Sequence, residues 1–104
     1  RLGIQYRFYS NASAEIKGMA MGGLLISSVQ KDSDLYGKLN ENDLIIKVNE
    51  HKITNDSIIL DVLEEHIPGD TINLTVLRED GKTEVISARL LSDEGSSSYT
   101  IAKV

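Results

Sequence analysis

Leu39-Asn40-Glu41-Asn42-Asp43-Leu44-Ile45-Ile46-Lys47-Val48-Asn49 is the stretch that decides the fold. Asp43–Val48 is rich in β-branched and aliphatic residues and predicts a strand. Asn42 leads into it, a residue type that tolerates left-handed backbone. On the N-terminal side, Leu24-Leu25-Ile26-Ser27-Ser28-Val29 is a second β-rich run, opened by Gly22-Gly23 and expected at the sheet centre. Ser33 to Tyr36 predicts one helical turn closing at Gly37, with Leu39 as a buried plug. Further out, Ile4-Gln5-Tyr6-Arg7-Phe8-Tyr9 alternates and predicts a strand with one buried face. Residues 12–20 predict a turn or two of helix, weakened by Gly18.

On the C-terminal side, a turn over Asn49-Glu50-His51-Lys52 leads to Ile53. Thr54, Asn55, Asp56 and Ser57 are all capping residue types, and a helix is expected over 56–66, stopping before Pro68-Gly69-Asp70. Thr71–Leu77 alternates as a strand with Ile72, Leu74 and Val76 on one face. Asp80-Gly81 signals a hairpin into a strand over 83–91. Residues 92–98 are Ser-rich and acidic, a flexible linker by composition. Residues 99–104 turn apolar again, a tail able to form a strand. The expectation is α+β: five strands in a small sandwich or partly open barrel, one main helix and one or two short helical turns.

The chain has 104 residues, 40% hydrophobic, and makes one domain. Four tyrosines, one phenylalanine and no tryptophan leave the core to aliphatic side chains. Eleven basic against sixteen acidic residues, a net charge of −5, argue against nucleic acid, whose phosphates must be neutralised by cations. No apolar run approaches the roughly 18–20 residues of a membrane helix. With no cysteine there is no disulfide, thiol nucleophile or thiolate metal site.

Catalytic chemistry is equally absent from the pattern. A hydroxyl nucleophile needs a base and a group orienting that base. The only histidines are His51, in a turn, and His66, at a helix end, and both read as surface. His66 is placed to meet the negative end of the helix dipole. Asp61, Glu64 and Glu65 read as a solvated helix face, and Asp32-Ser33-Asp34 is too short for a calcium loop. No catalytic residue, metal site or cofactor is expected.

Four pieces, in order, resemble a PDZ domain of the bacterial type that follows the protease domain in HtrA-family serine proteases. Arg1-Leu2-Gly3-Ile4 is similar to that family's carboxylate-binding loop. Gly23–Val29 with Ser33 follows, then Leu39–Asn49, then Ile53-Thr54 leading a helix into Pro68–Gly81. The resemblance covers residues 1–91. It implies a PDZ-like fold that binds peptides by adding a strand to the edge of 4–9, opposite the helix. The implied peptide site comprises Leu2, Gly3, Ile4, Gln5, Tyr6, Arg7, Ile58, Val62, Glu65 and His66. The backbone N–H groups of Leu2, Gly3 and Ile4 would hold the peptide's carboxylate, with Arg1 as a nearby cation.

Leu2, Ile4 and Tyr6 would wall the pocket for the terminal side chain, while Phe8 reads as core. Ile58, Val62 and Glu65/His66 would face the groove from the helix, with Ile59, Leu63 and Ile67 on the core-facing stripe. The ligand would be apolar at its terminus and two residues before it. The implied partners are C-terminal or unfolded protein segments and a trypsin-like protease domain N-terminal to Arg1, in an extracytoplasmic compartment. Residues 99–104 could occupy the molecule's own groove or a neighbour's; otherwise the fragment is expected as a monomer. The alternatives are a non-enzymatic scaffolding module, or a PDZ domain of a tail-specific or intramembrane protease.

Overall fold

The computed structural model describes residues 1–91; the linker and tail expected over 92–104 lie outside them. Strand β1 (Ile4–Tyr9) is followed by helix α1 (Asn11–Ile16) and strand β2 (Gly23–Val29). Strand β3 (Leu44–Val48), the two-residue β4 (His51–Lys52), helix α2 (Ile58–Glu64), β5 (Thr71–Leu77) and β6 (Thr83–Arg89) complete the order. All pairings are antiparallel, in the spatial order β1-β2-β3-β5-β6, with β4 beside β3.

The core is aliphatic, as composition requires. Leu24, Ile26, Ile45, Val48, Ile72, Leu74 and Val76 from the sheet pack with Leu35 and with Ile59 of α2, and all are buried. Ile72, Leu74 and Val76 share one face because side chains alternate along a strand. The sheet closes partway on itself. Arg1 N donates to Leu91 O at 2.8 Å and Leu91 N returns a bond to Arg1 O at 2.8 Å. That reciprocal pair joins the chain just before β1 to the chain just after β6.

Two asparagines carry the left-handed turns. Asn42 (φ 73°) enters β3 and Asn49 (φ 53°) leaves it. Beside Asn42, buried Asp43 accepts from Asn40 N at 2.7 Å and from Arg78 Nη1 at 2.5 Å, fixing the start of β3 against the end of β5. Gly81, at φ 90°, supplies the left-handed residue of the β5–β6 hairpin.

Three details depart from the sequence expectation. Six strands form among the described residues rather than five, because His51–Lys52 pairs with Lys47 and Val48 instead of remaining a turn. Helix α2 is shorter at both ends than 56–66. Asn55 Oδ1 accepts from Ser57 N at 2.9 Å and from Ser57 Oγ at 2.7 Å, holding a turn where the first helical residues were expected. At the other end Pro68 disfavours helical backbone at Ile67, whose N–H goes to Asp70 Oδ2 at 3.1 Å. The helical period therefore stops before Ile67. That side chain is 68% exposed, not part of the core-facing stripe.

Candidate functional site

The two ends of the sheet are treated differently. On β6, side chains from residues 34–38 occupy the outward backbone: Asp34 Oδ2 accepts from Arg89 N at 2.9 Å and Lys38 Nζ donates to Ser87 O at 3.1 Å. The Arg89 N–H beside Asp34 holds its carboxyl below the usual carboxylate range. Edge strands template pairing with other chains unless they are covered in this way. Strand β1, at the other end, has among the described residues a strand partner only in β2.

Its entry loop explains what that free edge can hold. Arg1 O accepts from Leu91 N at 2.8 Å, Leu2 O from Ser33 Oγ at 2.5 Å, and Gly3 O from Gln30 N at 2.8 Å. No peptide bond of the described residues is cis. In a trans peptide the N–H points opposite to the preceding carbonyl. Three consecutive pinned carbonyls thus turn the N–H groups of Leu2, Gly3 and Ile4 away from those partners. Among the described residues, the N–H groups of Leu2 and Gly3 donate to no acceptor. Successive backbone N–H groups left without an internal acceptor are the kind of donors that can receive an anion.

Gly3 is required for this geometry. Its φ is +77°, and a Cβ built there would lie 2.9 Å from Ser33 Cβ. Buried Ser33 serves twice, since its Oγ also accepts from Leu35 N at 3.0 Å.

Around the loop, the apolar residues expected in the site do come together. Leu2, Ile4 and Val62 are buried in one cluster, with Tyr6, Phe8 and Ile58 packed against it. Burial raises the Tyr6 phenol above its usual value, and the Asp56 carboxylate adds to the rise, which places Tyr6 within the field of the residues leading into α2. The antiparallel alternation of β1 then turns the backbone groups of Ile4 and Tyr6 to the unpaired side, because the Gly3 carbonyl is spent on Gln30.

The polar members of the expected set have other placements. Gln5 Oε1 accepts from Ser28 Oγ at 3.2 Å. Arg7 and Glu65 are exposed. The Arg1 guanidinium bonds Asp32 Oδ2 at 2.6 Å and also Gln30 Oε1, so its charge is shared with a carboxylate. His66, expected on the surface, is half-buried, with Nδ1 2.8 Å from Val62 O at the last turn of α2.

Ser33, Gln30 and Asp34 are the residues whose work sequence reasoning did not assign. Only Ser33 left a trace, through its spacing after Val29. No group of three or more potential metal ligands clusters among the described residues, and no helix is long and apolar enough to cross a membrane. The larger surface depressions lie elsewhere, one between residues 32–38 and β6. Its polar groups already bond one another, which makes it a poorer candidate than the free edge.

The family model of the PDZ domain matches residues 1–90. The chain belongs to the PDZ domain family. Among solved structures, this PDZ domain is similar to the HtrA-type protease AlgW with decapeptide, at 22% identity and a TM-score of 0.70 over 86% of this chain. A variant of that protease, AlgWS227A with decapeptide, aligns over 93% at 19% identity and a TM-score of 0.71. An aminopeptidase N family protein from Idiomarina loihiensis is similar at 24% identity and a TM-score of 0.67 over 86%. The PDZ domain spans 28%, 31% and 13% of those chains respectively, so they carry a great deal besides this fold. No curated protein sequence matches it.

Proposed function

We propose that this PDZ domain captures the C-terminal segment of another protein as an added strand along β1, with α2 as the opposite wall. The carrying observation is the set of three pinned carbonyls at Arg1, Leu2 and Gly3, which leaves the following N–H groups to receive the peptide carboxylate. The contrast between a capped β6 edge and a β1 edge left unpaired among the described residues supports the same reading. Main-chain bonds supply affinity and the Leu2, Ile4, Tyr6, Ile58 and Val62 surface selects an apolar terminal side chain.

The fold likeness to HtrA-type proteases solved with peptides supports a role feeding or regulating a serine protease domain N-terminal to Arg1; the family resemblance adds an extracytoplasmic compartment to that reading. The likeness to an aminopeptidase N family protein favours a second reading, the same capture module serving a different peptidase. The sequence upstream of Arg1 separates them: a His…Asp…Gly-x-Ser-x-Gly order supports the first.

Capture itself is tested by an NMR titration with peptides bearing free or amidated C-termini. The expected result is amide shifts at Leu2, Gly3, Ile4, Tyr6, Ile58 and Val62 that vanish on amidation. Equal binding of amidated peptides would reject carboxylate capture and point to internal strands.

A further inference from the structure

We infer that Arg7 makes the β1 groove selective for an acidic side chain three residues before the ligand's terminus. This rests on the strand-addition reading and goes beyond it by assigning the ligand's charge pattern. Gln5, Arg7 and Tyr9 share one face of β1, the face opposite to Ile4, Tyr6 and Phe8. Arg7 is exposed, and its guanidinium forms no ion pair or hydrogen bond among the described residues. Its partner across the ladder is the apolar Leu25. Lys17 Nζ sits 5.6 Å from the ring centre of Tyr9, which places a second cation two residues further along the same strand.

The position follows from register. With the terminal residue opposite Ile4, an antiparallel strand steps one residue for one, so the ligand's third residue before the terminus lies opposite Arg7. Its side chain projects on the same face as Arg7, within direct cross-strand reach. The helix side carries the opposite sign, with Asp56 just before α2 and Glu65 just after it both exposed. Ligand side chains that alternate between the two walls therefore meet cations on one side and carboxylates on the other. In a chain of net charge −5, the preference is for acid at a position, not for acidic peptides as such.

The test uses hexapeptides Ala-Ala-Xaa-Leu-Ala-Val with a free carboxylate, where Xaa is Glu, Gln or Lys, against the domain and its Arg7→Glu variant. Calorimetry at low salt is expected to give about 2–5-fold tighter binding for Glu than Gln, from the strength of a cross-strand charge pair. Lys binds more weakly still, the differences shrink at high salt, and Arg7→Glu inverts the order. Because Arg7 is exposed, circular dichroism of the variant should be unchanged. Peptides that bind and lose affinity on amidation, yet show no Glu-over-Lys preference or keep it in Arg7→Glu, would overturn the inference and leave carboxylate capture standing. Failure of every peptide to bind would overturn both.

Discussion

Replacing Gly3 by alanine tests the architecture of the carboxylate loop directly. At φ +77° an L-residue carries a conformational cost of roughly 1–2 kcal/mol. The added Cβ also meets Ser33 Cβ at 2.9 Å, and both atoms are fixed to backbone, so relief requires moving one chain segment. Overpacking of that kind costs about 1–3 kcal/mol. The sum, roughly 2–5 kcal/mol, is a large share of the ~5–15 kcal/mol by which a domain is stable. Urea denaturation should show it as a lower midpoint at unchanged slope. Ser33→Gly removes the opposing Cβ, so the double variant should lose less than the two single losses combined. Ser33→Ala keeps that carbon and should give no such relief. A Gly3→Ala loss below ~0.5 kcal/mol would refute both the backbone strain and the contact, and strict additivity with Ser33→Gly would refute the contact.

Other outcomes follow from residues already described. Arg78→Met leaves the buried Asp43 carboxylate without its guanidinium and should cost about 3–5 kcal/mol by denaturation, whereas Glu84→Gln, on the exposed side of the same arginine, should cost well under 1. Ile58→Ala, at the half-buried helix position proposed to face the groove, should weaken a peptide with leucine two residues before its terminus about 5-fold by calorimetry, a partial share of an isoleucine's burial. Glu65→Gln should leave that affinity nearly unchanged. The raised Tyr6 phenol stabilises the fold below the ordinary tyrosine value near ~10, and that contribution disappears as pH climbs through the higher folded value. Phenolate absorbance should show Tyr6 ionising later than a free tyrosine, and later again with peptide bound.

Much of this was legible because strand and turn chemistry is local. Asn42 announced a left-handed residue before β3, Asp80-Gly81 announced a hairpin, and the alternation of Ile72, Leu74 and Val76 gave a buried face without any neighbour being known. The ends of α2 were not legible in the same way. Four capping residue types stand in a row at 54–57, and only the side-chain bonds of Asn55 show where the turn ends. Ile67 satisfied the helical period but sits next to Pro68, and the local backbone restriction outweighed the pattern. The loop of the candidate site was singled out at Arg1-Leu2-Gly3-Ile4 through the resemblance to the PDZ family, not through any local signal of its own. What aims that loop was hidden, because Leu91, Ser33 and Gln30 are distant in sequence and contribute one ordinary polar group each. The capping of β6 by Asp34 and Lys38 was invisible for the same reason: oppositely charged residues four apart also describe any solvated helix.

The Arg1–Leu91 pair has a mechanical consequence. The chain comes in and goes out at one corner of the domain, so opposing pulls on the two flanks act as an unzipping load, which breaks bonds in turn instead of all at once. The first bonds to part are the two between Arg1 and Leu91. One of them fixes the carbonyl whose peptide plane aims the Leu2 N–H. Tension along the chain is thus felt at the candidate carboxylate loop before the aliphatic core gives way, and a ligand seated there braces the seam between Arg1 and Leu91.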